Sequence, residues 1–180
     1  MLRQLLLQTS PLALAAFAAS SHAQVPPIKP GLWQVQAERS IDGKPAPDMS
    51  ERLKNMPPAA RAQMEAMMKQ RGVDTSGGGL RICMTPETIA QGRWSENNPR
   101  CKTEFGTRTA AAWKWRSVCS EPASTVDGEA VFHGPESYTT TITTTTQRQG
   151  QTHTGRHVAK AKWLGADCGD VKPMQAPPKR

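Results

Sequence analysis

The sequence predicts a mainly β domain, an antiparallel meander forming a strongly curved sheet or incomplete barrel, with a Met-rich helical insertion after the first strand. Three observations carry this. From residue 101 onward the chain alternates between strand-like stretches and turn residues. The inward faces of those stretches agree with one another through three successive hairpins. The one long stretch of helical composition, residues 50–71, falls between the first strand and the rest.

Met1-Leu2-Arg3, the apolar run over residues 5–19 and Ser21-His22-Ala23 have the positive n-region, apolar h-region and small −3 and −1 residues of an export signal, which places cleavage after Ala23. Residues 24–172 then form a single β domain. Gly31-Leu32-Trp33-Gln34-Val35-Gln36-Ala37-Glu38 alternates, with Trp33, Val35 and Ala37 on one face, and reads as the first strand. Residues 43–47 are a turn-rich connection. The helical insertion is broken at Pro57-Pro58, because Pro58 suits the first turn of a helix ending near Gln70, with Gly72 beyond it. Gly77-Gly78-Gly79 reads as a hinge. Residues 80–84 form another strand, and Thr85-Pro86-Glu87 has the N-cap-then-Pro signature of a short helix.

In the second half, one antiparallel register sets Cys101 against Cys119, Phe105 against Trp115 and Thr107 against Trp113 on one side, with Glu104 against Arg116 on the other. A slip of one residue turns one strand's cysteine and aromatic set to the wrong face. The next hairpin turns at Gly134-Pro135 and opposes Val126, Gly128, Ala130 and Phe132 to Tyr138, Thr140, Ile142 and Thr144. The third turns at Gln149-Gly150, which brings Ile142 beside His157 and Tyr138 beside Ala161. Residues 173–180 read as a flexible tail.

At 180 residues and a net charge of +8, the chain is one ordinary domain with a basic surface, not a multidomain machine. Hydrophobic residues at 37% are too few for a helical membrane protein, and no segment after the signal approaches the length of a membrane span. The four cysteines suit an oxidising compartment and contain no C-x-x-C, which argues against a zinc ribbon or a thioredoxin-type site. The register pairs Cys101 with Cys119 and leaves Cys83 for Cys168. Behind an export signal, the positive charge points to anionic envelope components rather than nucleic acid. A soluble periplasmic or secreted protein is expected.

Ile28-Lys29-Pro30-Gly31-Leu32-Trp33-Gln34-Val35, the Met-rich residues 57–72, Cys83-Met84-Thr85-Pro86-Glu87 and Lys162-Trp163-Leu164-Gly165-Ala166-Asp167-Cys168-Gly169 resemble a bacterial exported family of uncharacterised proteins, domain of unknown function 3617. The resemblance spans most of the chain beyond the signal. It implies a periplasmic or secreted protein, and no activity, cofactor or catalytic residue.

No Gly-x-Ser-x-Gly elbow, His-Glu-x-x-His or phosphate-cradling loop is present, so neither an enzyme nor a bound cofactor is expected. Asp127 and Glu129 share a strand face with no acid or base partner evident, and read as solvated. His153 and His157 are four apart in a strand, where the spacing is roughly 13 Å, too far to chelate one ion. The threonines of residues 139–146 reflect β propensity rather than an ice-binding ladder.

Small residues at inward positions, Gly128, Ala130, Gly155, Ala159 and Ala161, leave space beside Phe132, Tyr138, Ile142 and His157. The expected function is therefore non-enzymatic binding of a small apolar or amphiphilic molecule or envelope component. His157, Tyr138, Ile142, Phe132, Gly155 and Ala159 are the ligand-binding candidates, and the helix over residues 58–70 is the expected cover. The alternatives are Cu(I) binding by Met64, Met67 and Met68, which fall on one helix face below Met49 and Met56, and an envelope protein–protein interaction module.

Overall fold

The structure is a computed structural model describing residues 25–75, 79–91 and 100–174. The export segment, Gly77 and Gly78 of the hinge, and residues 175–180 lie outside the described residues. In chain order the elements are β1 (Gly31–Ile41), β2 (Lys44–Ala46), α1 (Met49–Lys54), α2 (Pro58–Gln70), β3 (Val73–Asp74), β4 (Leu80–Met84), α3 (Pro86–Gln91), β5 (Cys101–Arg108), β6 (Ala112–Ser120), β7 (Ala123–Phe132), β8 (Ser137–Arg148) and β9 (Gln151–Gly165). The nine strands form one antiparallel sheet in the order β3-β4-β1-β9-β8-β7-β6-β5, with β2 beside β1. The sheet stays open, since β3 and β5 end it without pairing to each other. The expected mainly β meander with its helical insertion is what the chain forms.

Turn chemistry sets the ends of the strands. β1 runs on past Glu38 to Ile41 and reverses at Asp42-Gly43, whose positive φ angles of 50° and 77° are those of a two-residue type I′ hairpin. The turn-rich connection of residues 43–47 is thus largely β2. This extension adds Arg39 and Ile41 to the inward face. Gln149-Gly150, at 51° and 76°, makes the same turn between β8 and β9.

The β7–β8 and β8–β9 registers are the expected ones throughout, with Phe132 against Tyr138, Ile142 against His157 and Tyr138 against Ala161. Between β5 and β6, Cys101 faces Cys119 and Phe105 faces Trp115, but Trp113 faces Arg108 rather than Thr107. A bulge between Phe105 and Arg108 takes up one residue, a common device on an edge strand. Its effect is to lay the Arg108 guanidinium over Phe105 at 3.7 Å and over Trp113 at 4.9 Å from the ring centroids.

The segment opening β1 and the one closing β9 are held together. Trp163 Nε1 donates to the Pro30 carbonyl at 3.0 Å, and Trp33 Nε1 donates to that of Lys29 at 3.0 Å. A Cβ at Gly31 would collide with the Gly165 carbonyl, so glycine is needed there by close approach. Disulfides join Cys83 to Cys168 and Cys101 to Cys119. Pro173 bridges to Cys83 and the Met174 amide donates to the Cys83 carbonyl at 3.1 Å, so the chain is anchored beyond residue 172, where the flexible tail was expected to begin.

The core lies on one sheet face and is aromatic. Trp33 is fully buried and meets Tyr138 at 5.2 Å between centroids; Phe132 follows at 6.3 Å from Tyr138 and Trp113 at 6.0 Å from Phe132. Ala161 sits on β9 between the strands of Trp33 and Tyr138, and its small side chain lets the two rings meet. Gly128 does the same for Trp115, whose indole occupies the position a Cβ would need. Here the small inward residues give room to aromatic neighbours.

Candidate functional site

Farther along the same strands the filling stops. Proceeding from Tyr138 along β8, the inward residues become Ile142, Thr144, Thr146 and Arg148; along β9, running the other way from Ala161, they become His157, Gly155 and His153. Among the described residues no Phe, Trp or Tyr lines this end. A Cβ on Gly155 would meet nothing nearer than the Thr144 carbonyl, at 4.0 Å. The result is a cleft of about 630 Å³, within the range of roughly 300–1,000 Å³ usual for small-molecule sites.

Its other walls come from β1, β4 and α1. β1 contributes Val35, Ala37, Arg39 and Ile41, β4 contributes Leu80, and α1 contributes Met49 and Arg52. The short helix α1 is held by a capping box, in which Asp48 accepts from the Glu51 amide at 2.8 Å and Glu51 accepts from the Asp48 amide at 3.3 Å. Leu53, 4% exposed, anchors it. Ile41 and Met49 keep 42% and 41% of their surface exposed, which leaves apolar area at the mouth.

His157 stands opposite both Arg39 and Ile142. Burial lowers its pKa, and the Arg39 charge lowers it further against a smaller opposing effect of Asp48. Between its folded-state value and the ordinary value of 6.5, the unfolded chain binds more protons, so stability rises with pH there. Acidification below 6.5 therefore costs stability until His157 is protonated in the folded state as well. Denaturant midpoints measured from pH 5 to 7.5 should show this slope reduced in His157→Gln; an unchanged slope would assign it to other groups.

His153 is engaged elsewhere. Its Nδ1 pairs with Asp42 at 2.9 Å, and Asp42 also accepts from the Thr154 amide at 2.7 Å. These hydrogen bonds, that from His153 foremost, hold the Asp42 carboxyl below its ordinary pKa. Among the described residues no group of three or more His, Cys, Asp or Glu is placed to hold a metal ion.

Of the six ligand-binding candidates, His157, Ile142 and Gly155 line the cleft. Tyr138 and Phe132, 5% and 7% exposed, are closed into the aromatic core, where burial raises the Tyr138 pKa. Ala159 lies one row toward that core, between Ala37 and Thr140, and is not part of the lining. The wall expected from α2 is supplied by α1. α2, which carries Met64, Met67 and Met68, buries no residue and packs beside β3. Asp127 and Glu129 do have basic partners, Arg116 at 3.4 Å and Lys114 at 3.2 Å, on an exposed face. Reading the sequence missed Arg39, Ile41 and Met49 above all; the first two were marked by Asp42-Gly43, the strongest short-range hairpin signal in the chain.

A family model described as a protein of unknown function (DUF3617) matches residues 28–168. An uncharacterized protein in the lpd-3 5′ region of Pseudomonas putida is 37% identical over 127 residues, covering 67% of this chain and 87% of that protein. No solved structure matches the chain.

Proposed function

Since the chain belongs to the DUF3617 family, whose function is unknown, its role has to be read from its own residues, and we propose that it is an exported, periplasmic, non-enzymatic binding protein for a small apolar or amphiphilic molecule. The observation that carries this is the cleft floored by Gly155 and Ile142, on the face whose other end is filled by aromatic rings. His157, directly across from Ile142, is among the polar groups within reach of an occupant. Two disulfides fit an oxidising compartment, and among the described residues no helix is long and apolar enough to cross a membrane.

Uptake of an environment-sensitive fluorescent fatty acid tests the reading. Wild type should enhance its emission, and Gly155→Leu, which places a side chain in the cleft, should lower affinity at least about tenfold while keeping the wild-type fold. Ala159→Phe, one row inward, should narrow the cleft from its apolar end. Failure of wild type to take up the probe would favour an envelope interaction module instead.

A second reading, Cu(I) binding by Met64, Met67 and Met68, is favoured by one observation: none of the three is fully buried, Met67 being exposed and Met64 and Met68 half-buried, so three thioethers at helical spacing stay within reach of solvent. Replacing all three by Leu should abolish Cu(I) retention in a competition assay and leave stability unchanged. Equal weak retention in both proteins would remove copper from consideration.

A further inference from the structure

The lining of the cleft is ordered by polarity. On β1 the inward residues run from Val35 and Ala37 to Arg39, and on β8 from Ile142 through Thr144 and Thr146 to Arg148. The apolar end of each series adjoins the aromatic core, and each series turns polar away from it, at Thr144 on β8 and at Arg39 on β1, with Ile41 beyond Arg39 at the mouth. Arg52 of α1 and Arg156 of β9 add a third and a fourth guanidinium from two further elements.

These positive charges outnumber the negative ones. Among the described residues none of Arg39, Arg52, Arg148 and Arg156 forms an ion pair, and the lining holds one carboxylate, Asp48, which also caps α1. Elsewhere the sheet matches its bases with acids, as in Lys114–Glu129, Arg116–Asp127 and Lys160–Glu38. Like charges gathered around one apolar cleft repel one another and oppose folding, and a bound anion relieves that repulsion. Guanidinium groups also suit an oxyanion, which accepts two parallel hydrogen bonds from each planar fork.

Building on the binding function proposed above, we infer that the cleft selects single-chain amphiphiles with an oxyanionic head, the chain lying against Val35, Leu80 and Ile142 and the head among Arg39, Arg52 and Arg148. A cleft of about 630 Å³ suits one acyl chain. The ligand is a lipid-derived anion, since a free anion would gain nothing from the apolar wall.

The test compares a fluorescent fatty acid with its own methyl ester, on the full exported protein and on Arg39→Gln/Arg148→Gln. Wild type should bind the acid about tenfold tighter than the ester, and the double variant should bring the two within about twofold by weakening the acid alone. Millimolar inorganic phosphate or acetate should not displace the acid, whereas an alkyl phosphate should. Equal affinity for acid and ester in wild type overturns the head-group inference and leaves the cleft as a binding site; failure of both probes to bind overturns the binding function itself. Displacement by free phosphate would make the site one for small anions and also overturn the inference. Should the double variant fail to fold, added salt is the second measurement: it should weaken the acid and not the ester, and an identical salt response overturns the inference.

Discussion

Replacing Gly128 by Val is expected to lower the midpoint of thermal unfolding by roughly 6–12 °C, corresponding to ~3 kcal/mol, while the same change at Gly155 shifts it by less than about 2 °C. The two glycines are equivalent in pattern: both are inward, both are mid-strand and both stand among β-branched neighbours. They differ in what lies over them. Trp115, directly across on β6 and 8% exposed, lays its indole where the Gly128 side chain would go, so any Cβ forces the ring out of the core. Expelling part of a tryptophan's buried surface and leaving a void where it packed both cost stability. At Gly155, among the described residues, a Cβ would find only the Thr144 carbonyl within 4 Å, and Val adds strand propensity. Circular dichroism melts of the two variants measure the contrast directly. Equal losses would mean that the Gly155 end is packed as tightly as the Gly128 end, and the cleft would lose its floor.

Removing the Cys83–Cys168 disulfide as a pair of alanines should cost about 4.5 kcal/mol in the chain-entropy model, against about 3 kcal/mol for Cys101–Cys119. The difference follows from sequence separations of 85 and 18. Cys83 is also where Pro173 and Met174 are fastened, so its loss frees both β4, near one end of the sheet, and the segment that follows β9. Denaturant titration of the two double variants gives the order, and non-reducing peptide mapping of wild type should recover the two pairs. Recovery of Cys83 joined to Cys101 would contradict both the register and the ranking.

Most of the sheet was legible because its information is local. From β7 to β9, turn residues fix where the chain reverses, and the two-residue period fixes which side chains face inward; Gly134, Gln149-Gly150 and the alternation around them leave one consistent register. The bulge in β5 was not legible, since an extra residue near Gly106 changes no composition and breaks no pattern until Arg108 is found opposite Trp113. The length of β1 was obscured for a different reason. Glu38, Arg39 and Ser40 interrupt the apolar alternation, although Asp42-Gly43 marks the turn that follows.

The site was half legible. Gly155, Ile142 and His157 follow from the β8–β9 register, whereas separating them from Tyr138 and Phe132 requires knowing where the aromatic rings end. Part of that was available: the register that sets Trp115 against Gly128 already fills one of the small positions. The placement of α1 in the wall was not, because a helix of six residues has too short a pattern to show where it rests, and the Met-rich α2 is the more conspicuous helix.

The most direct measurement is native mass spectrometry of gently purified protein, with Gly155→Leu prepared in parallel. Wild type should retain a small mass that is ejected as the anion of a single-chain amphiphile, and the variant should fly bare. Bare wild-type protein that also acquires no mass after incubation with a long-chain fatty acid would contradict the binding function, and with it the reading of the cleft.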